Sequence, residues 1–135
     1  MSKILVDTSV WSLAFRKKRK NAESEIVVND LIKIIRDFDV VIIGPIRQEL
    51  LSGISDSAKY EELREKMSIF SDHPIYTADY ELAARFNNEC RKNGIQGSHT
   101  DFLICAVAHN NDFTIFTLDN DFSRYSRHVK IKLIK

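Results

Sequence analysis

The chain has 135 residues and a mass of 15.6 kDa, a length that fits one domain spanning 1–135 and leaves no room for a second. Hydrophobic residues make up 44% and charged residues 29%, while Gly 4 and Pro 2 are too few for a linker-rich or low-complexity chain; a globular protein of this size builds its core without disulfides or a structural metal. Lys+Arg 20 against Asp+Glu 19 gives a net charge of +1, which excludes a whole-protein basic field for nucleic acid, although five cations stand together at Arg16-Lys17-Lys18-Arg19-Lys20.

Lys3-Ile4-Leu5-Val6 is a short apolar run rich in β-branched residues and predicts a buried strand. Asp7 interrupts it after three apolar residues, so the run of about seven that a signal peptide needs is missing; no stretch approaches a membrane span, and the cytoplasm is the expected location. Val10 to Phe15 predicts a helix capped by Thr8 or Ser9, closed or followed by the cationic run. From Glu23 to Asp37, Ile26, Val27, Leu31, Ile34 and Ile35 recur at helical spacing. Val40 to Ile43 predicts a second strand, stopped by Gly44-Pro45. Pro45 suits the first turn of a helix that carries Arg47 to Leu51 and ends near Gly53.

Lys59 to Phe70 predicts a further helix, and His73 to Tyr76 a break. Thr77 or Asp79 can cap a long helix to about Asn93, with Leu82, Ala83, Phe86 and Cys90 on its buried face. After a loop at Gly97-Ser98-His99, Thr100 can cap a helix from Asp101 to His109 that is apolar almost all round and therefore central. Phe113 to Thr117 predicts a strand, Leu118 to Phe122 a turn, and Val129 to Ile134 a last strand whose alternating polarity suits a sheet edge. Alternating strands and helices predict an α/β fold, a mainly parallel sheet with helices on both faces, whose ligands bind outside the carboxyl ends of the strands.

Acids occupy those ends. Asp7 follows the first strand, Asp119 and Asp121 follow the strand ending at Thr117, Asp101 opens the apolar helix, and Glu49 lies one turn into the helix after the second strand. Converging carboxylates without cationic partners repel each other unless a cation neutralises them, and an oxygen-only donor set suits Mg²⁺ or Mn²⁺. Taken singly, each acid also has a plainer reading: a helix cap for Asp7, a first-turn residue for Asp101, a solvated charge for Glu49 and turn residues for Asp119 and Asp121.

Four segments, Ile4-Leu5-Val6-Asp7-Thr8-Ser9-Val10-Trp11, Gln48-Glu49-Leu50-Leu51-Ser52-Gly53, Thr100-Asp101-Phe102-Leu103-Ile104-Cys105-Ala106 and Thr117-Leu118-Asp119-Asn120-Asp121-Phe122, resemble in order the motifs of PIN-domain ribonucleases. The size and the opening are similar to the VapC toxins of type II toxin–antitoxin pairs. The resemblance implies a three-layer α/β/α sandwich and a metal-dependent endoribonuclease that hydrolyses phosphodiester bonds in structured or loop RNA, such as transfer or ribosomal RNA. It implies that Asp7, Glu49, Asp101 and Asp119 are the catalytic acids, with Asp7, Asp101 and Asp119 holding Mg²⁺ or Mn²⁺, and that Ser9 and Asp121 support them. It further implies a cognate antitoxin over the site and a homodimer. The sequence leaves open which of Asp119 and Asp121 faces the metal.

Lys17, Lys18 and Arg19 are the expected contacts to the RNA backbone. No histidine pair has H-x-x-x-H spacing, Cys90 and Cys105 are isolated, and neither G-x-x-x-x-G-K-[ST] nor G-x-G-x-x-G occurs. Two other functions compete. One is a metal-dependent phosphatase with Asp7 as nucleophile, which Ser9 disfavours by standing where such enzymes carry a second acid. The other is a non-catalytic PIN-fold module binding RNA or protein, which the four retained acids disfavour.

Overall fold

The computed structural model describes residues 3–16, 21–37 and 39–134, so Lys17, Lys18 and Arg19 lie outside the described residues. Strands β1 (Ile4–Val6), β2 (Val40–Val41), β3 (Thr114–Phe116) and β4 (Lys132–Leu133) form one sheet in the order β2-β1-β3-β4. Every pairing is parallel, with Leu5 opposite Val41 on one side and Ile115 on the other, and Ile115 opposite Leu133. The helices are α1 (Thr8–Ala14), α2 (Ala22–Arg36), α3 (Gly44–Leu51), α4 (Ser57–Met67), α5 (Thr77–Lys92), α6 (His99–Asn111) and α7 (Asp121–Tyr125).

The chain leaves β1 in one direction across the sheet, to β2, and later crosses back to β3 and on to β4. Parallel crossovers are right-handed, so this reversal places α1 and α2 on one face and α6 on the other. It also puts the topological switch point between the carboxyl ends of β1 and β3, where sheets of this kind bind ligands.

The core forms where the apolar patterns predict it. Leu5, Val6 and Ile115 are fully buried in the sheet, and α6 buries every side chain from Phe102 to Ala108 between α5 and β3. A large aliphatic or aromatic side chain contributes about 1.5–3 kcal/mol on full burial, so α6 is the helix least able to shift. Trp11 packs in the core too, with its indole N–H donating to the Val6 carbonyl at 3.1 Å.

Some boundaries differ from the sequence reading. Asp7, not Thr8 or Ser9, occupies the N-cap position of α1; Ser98, not Thr100, caps α6 by accepting the Asp101 N–H at 3.0 Å. Asp56 caps α4 through the Lys59 N–H at 3.0 Å, so that helix starts before Lys59 and stops at Met67. Its end is fixed by Arg47, whose guanidinium donates to the carbonyls of Met67 at 2.9 Å and Phe70 at 2.6 Å and to Asp72 at 3.0 Å. A short helix, α7, replaces the predicted turn after Asp121, because Phe122 and Tyr125 both reach the core.

Candidate active site at the carboxyl ends of the strands

Asp7 begins where β1 ends. Its backbone N–H donates to the Phe116 carbonyl at 2.9 Å, which ties the end of β1 to the end of β3. Although the residue sits at the N-cap of α1, its side chain makes no cap bond. Two hydroxyls donate instead to one carboxylate oxygen, Oδ2: Ser9 Oγ at 2.9 Å and Thr117 Oγ1 at 2.8 Å. Each hydroxyl accepts in turn from a backbone N–H, Ser9 from Leu118 of the opposite segment and Thr117 from Asp119 of its own, both at 3.0 Å. Asp7 is only 5% exposed, so these bonds support a buried charge and leave its other oxygen, Oδ1, without a protein donor among the described residues.

The other three acids approach from separate elements. Glu49 is exposed on α3, and the Thr8 hydroxyl donates to its Oε1 at 2.7 Å, holding it beside the residue that follows Asp7. Asp101 stands in the first turn of α6, where Tyr125 Oη donates to its Oδ2 at 2.7 Å. Burial pushes the Asp101 carboxyl above the usual carboxylate range; the Tyr125 and Ser98 hydroxyls pull the other way, and the charges of Asp7 and Asp119 push it further up. Thr117 links two of these acids directly, its hydroxyl donating to Asp7 and accepting from the Asp119 N–H. Burial and the bond to Asp101 hold the Tyr125 phenol protonated far above its ordinary range, with Asp121 and Asp119 adding to the effect.

Asp119 and Asp121 separate clearly. Asp119 Oδ1 accepts the Asp121 N–H at 2.9 Å, a turn bond that leaves its second oxygen available. Asp121 is paired with Arg124 at 3.0 Å. Asp7, Glu49, Asp101 and Asp119 have no Lys, Arg or His partner among the described residues. This donor set, all oxygen and all anionic, fits a hard divalent cation. The carboxylates do not already enclose one: among the described residues no three Asp, Glu, His or Cys side chains stand together as a ready-made metal group.

An open groove of about 500 Å³ lined by Thr8, Pro45, Gln48, Glu49, Ser52 and Thr100 runs beside the acids. Cys105 is buried beneath them, and burial raises its thiol well above the usual value, which suits a core residue and not a nucleophile. Sequence reasoning missed Thr8 and Thr117 as partners of Glu49 and Asp7, and it missed Tyr125. Thr8 was legible from its place beside Asp7, but Tyr125 has no local signal at all, since it meets Asp101 only through packing.

The fold is an α/β domain whose parallel sheet carries Asp7 and Asp119 just beyond the carboxyl ends of β1 and β3. The chain belongs to the PIN domain family, whose model matches residues 4–128. Its fold is similar to FitAcB from Neisseria gonorrhoeae, with a TM-score of 0.78 and 22% identity over 98% of this chain and 96% of that one. It is similar also to a member of the VapBC family of toxin–antitoxin systems from Mycobacterium tuberculosis (0.71, 18% identity, 100% and 99% covered) and to DNA-bound VapBC from Salmonella typhimurium (0.71, 17%, 99% and 98%). No curated protein matches the chain by sequence. PIN-domain proteins are usually metal-dependent nucleases. Among the described residues no helix is long and apolar enough to cross a membrane.

Proposed function

We propose that the chain is a metal-dependent endoribonuclease acting as the toxin of a type II toxin–antitoxin pair. The observation that supports the reading is that Asp7, Glu49, Asp101 and Asp119, on four segments, have no cationic side chain among the described residues to neutralise them, while the neighbouring Asp121 has one. Asp7, Asp101 and Asp119 would hold Mg²⁺ or Mn²⁺. When bound, such an ion would polarise a phosphate and lower the pKa of a water enough for a carboxylate base to take its proton.

The chain's own residues supply the rest. Ser9 and Thr117 fix the plane of Asp7 and turn its free oxygen to the site. Glu49, exposed and held by Thr8, orients the attacking water and takes its proton. As the water oxygen bonds to phosphorus, the bond from phosphorus to the 3′-oxygen breaks. The 3′-oxygen leaves with a proton from solvent and Glu49 returns the one it took to solvent, giving 5′-phosphate and 3′-hydroxyl ends. The groove along Thr8, Gln48, Ser52 and Thr100 offers the strand neutral hydrogen-bonding groups, and Lys17, Lys18 and Arg19 contact its phosphates. The solved VapBC structures support a protein antitoxin as the partner that covers the site.

Incubating the purified chain with a synthetic stem-loop RNA tests the reading. Cleavage that requires Mg²⁺ or Mn²⁺, stops with chelator and leaves 5′-phosphate ends is expected. Absence of cleavage by a chain that binds the metal would favour a non-catalytic module, and a trapped phospho-aspartate would favour the phosphatase.

A further inference from the structure

We propose that Tyr125 is a positioning residue for the acidic site, holding Asp101 through its hydroxyl, and that Gly97 is the residue that makes room for it. The inference rests on the reading of Asp101 as a ligand to a divalent cation.

Tyr125 lies 24 residues from Asp101 in the sequence, yet its phenol reaches the Asp101 carboxylate at 2.7 Å. The ring is wholly buried. Phe102 of α6 lies against it with centroids 4.9 Å apart, and Phe122 of α7 meets it edge-on at 5.3 Å. Packing from both helices therefore fixes the ring, and only the hydroxyl is spent on the site. A buried phenol needs a hydrogen-bond partner, and here the partner is an acid that would otherwise turn freely on the first turn of its helix. Accepting the bond on Oδ2 fixes the carboxylate plane and leaves Oδ1 for a cation. Because it packs against both Phe102 and Phe122, the same ring also ties α6 to α7, the helix that follows Asp119.

Gly97 is explained by space and not by backbone conformation, since it is not among the glycines of positive φ. A Cβ at this position would lie 2.4 Å from Tyr125 Oη, 2.8 Å from its Cζ and 2.9 Å from Phe102 Cε2. Any side chain would push the phenol away from Asp101. Tyr125, remote in sequence, thus orients the Asp101 carboxylate in a space that Gly97 leaves open. Packing alone would be served equally by Phe at position 125, so the hydroxyl separates a positioning role from a structural one.

The test uses Tyr125→Phe, Gly97→Ala and the double variant in the full chain. It reads Mn²⁺ affinity by titration calorimetry, kcat and KM for RNA, and melting temperature in chelator. Tyr125→Phe keeps the ring and should melt close to the wild type. It should bind Mn²⁺ about 10- to 100-fold more weakly and lower kcat at sub-saturating Mn²⁺, with KM for RNA unchanged. Gly97→Ala should lose Mn²⁺ affinity similarly and also melt lower. In the Tyr125→Phe background it should cost stability but no further Mn²⁺ affinity, because the hydroxyl is already gone. Wild-type Mn²⁺ affinity in Tyr125→Phe overturns this inference alone. A wild-type chain that binds no Mn²⁺ overturns the underlying reading and this inference with it.

Discussion

Asp7→Asn isolates charge from shape at the centre of the site. Both hydroxyl donors converge on Oδ2, and no described residue donates to Oδ1. An asparagine can therefore place its carbonyl oxygen where Oδ2 stands, keep the Ser9 and Thr117 bonds, and put its amide where Oδ1 faces the site. Each bond changes from charge-assisted to neutral, a loss of about 1 kcal/mol apiece. Against that, a buried charge disappears, together with its repulsion of Asp101, and removing a buried charge offsets its desolvation cost. The metal-free variant should thus melt at or above the wild-type temperature, by up to about 5 °C. Cleavage should fare differently. Losing one ligating carboxylate costs about 3–4 kcal/mol of transition-state stabilisation, several hundredfold in rate. Single-turnover cleavage of a labelled RNA at saturating Mn²⁺, paired with melting in chelator, measures both effects. Cleavage at the wild-type rate would refute the acidic centre. A melting temperature lowered by more than about 6 °C would refute the isosteric hydrogen-bond argument, whatever the activity.

The unpaired Asp119 should matter more than Asp121: Asp119→Asn is expected to cost a hundredfold or more in single-turnover rate and Asp121→Asn about tenfold, and the reverse order would move the ligand to Asp121. Because a proton competes with the cation for the Asp101 carboxylate, whose pKa is raised, Mn²⁺ affinity should climb as pH rises through that raised value, and a flat affinity from about pH 4, the ordinary aspartate range, up to neutrality would contradict this. Sign follows for stability too: a protonated Asp101 stabilises the metal-free fold below its ordinary pKa and that contribution is lost as pH rises through the raised one, so Asp101→Asn should out-melt the wild type near neutrality and lose the advantage near pH 4. Arg47→Ala should lower unfolding free energy by about 2–4 kcal/mol in a urea titration, and Arg47→Lys should restore little of it, since a lysine cannot span two carbonyls and a carboxylate. Replacing Lys17, Lys18 and Arg19 with Ala should flatten the salt dependence of RNA binding by roughly 0.7 log–log units for each phosphate that is no longer neutralised, and an unchanged slope would return the run to solvent.

The sequence carried the fold because its periodicities are unambiguous where burial is complete. Lys3–Val6, Val40–Ile43 and Phe113–Thr117 are apolar runs too short for helices, and α6 is too apolar to lie anywhere but in the middle. Ends were less legible, because caps depend on neighbours the pattern does not encode. Thr100 is an ordinary cap residue, yet Ser98 takes the role and the helix begins at His99. The acids of the site were readable through their placement at strand ends and helix starts. Their partners were not: Thr117 looks like the last residue of a strand, and Tyr125 like one more aromatic in a turn. What makes them part of the site is the parallel register that sets β3 beside β1 and the packing of α7 on α6.

Burial divides the four carboxylates into two kinds. Asp7 is buried and doubly bonded by hydroxyls, and Asp101 is half-buried and held by a phenol that cannot move. Each is tied to the densest part of the molecule, one through the β1–β3 pairing and the other through the wholly apolar body of α6. Glu49 and Asp119 are exposed, anchored only by a threonine hydroxyl and a turn bond. A cation entering the site therefore meets a fixed pair and a pair that must give up side-chain freedom, up to about 2 kcal/mol for a long side chain such as glutamate. On the proposed reading, the fixed pair would set where a cation sits and the exposed pair would adjust to what arrives with it. An acid that meets the water and the moving oxygens of a phosphodiester has to adapt, and an acid that defines the centre must not. On that reading, the hydrogen bonds of this chain suit Asp7 and Asp101 to the second task and Glu49 to the first, with Asp119 closing on the cation that the fixed pair places.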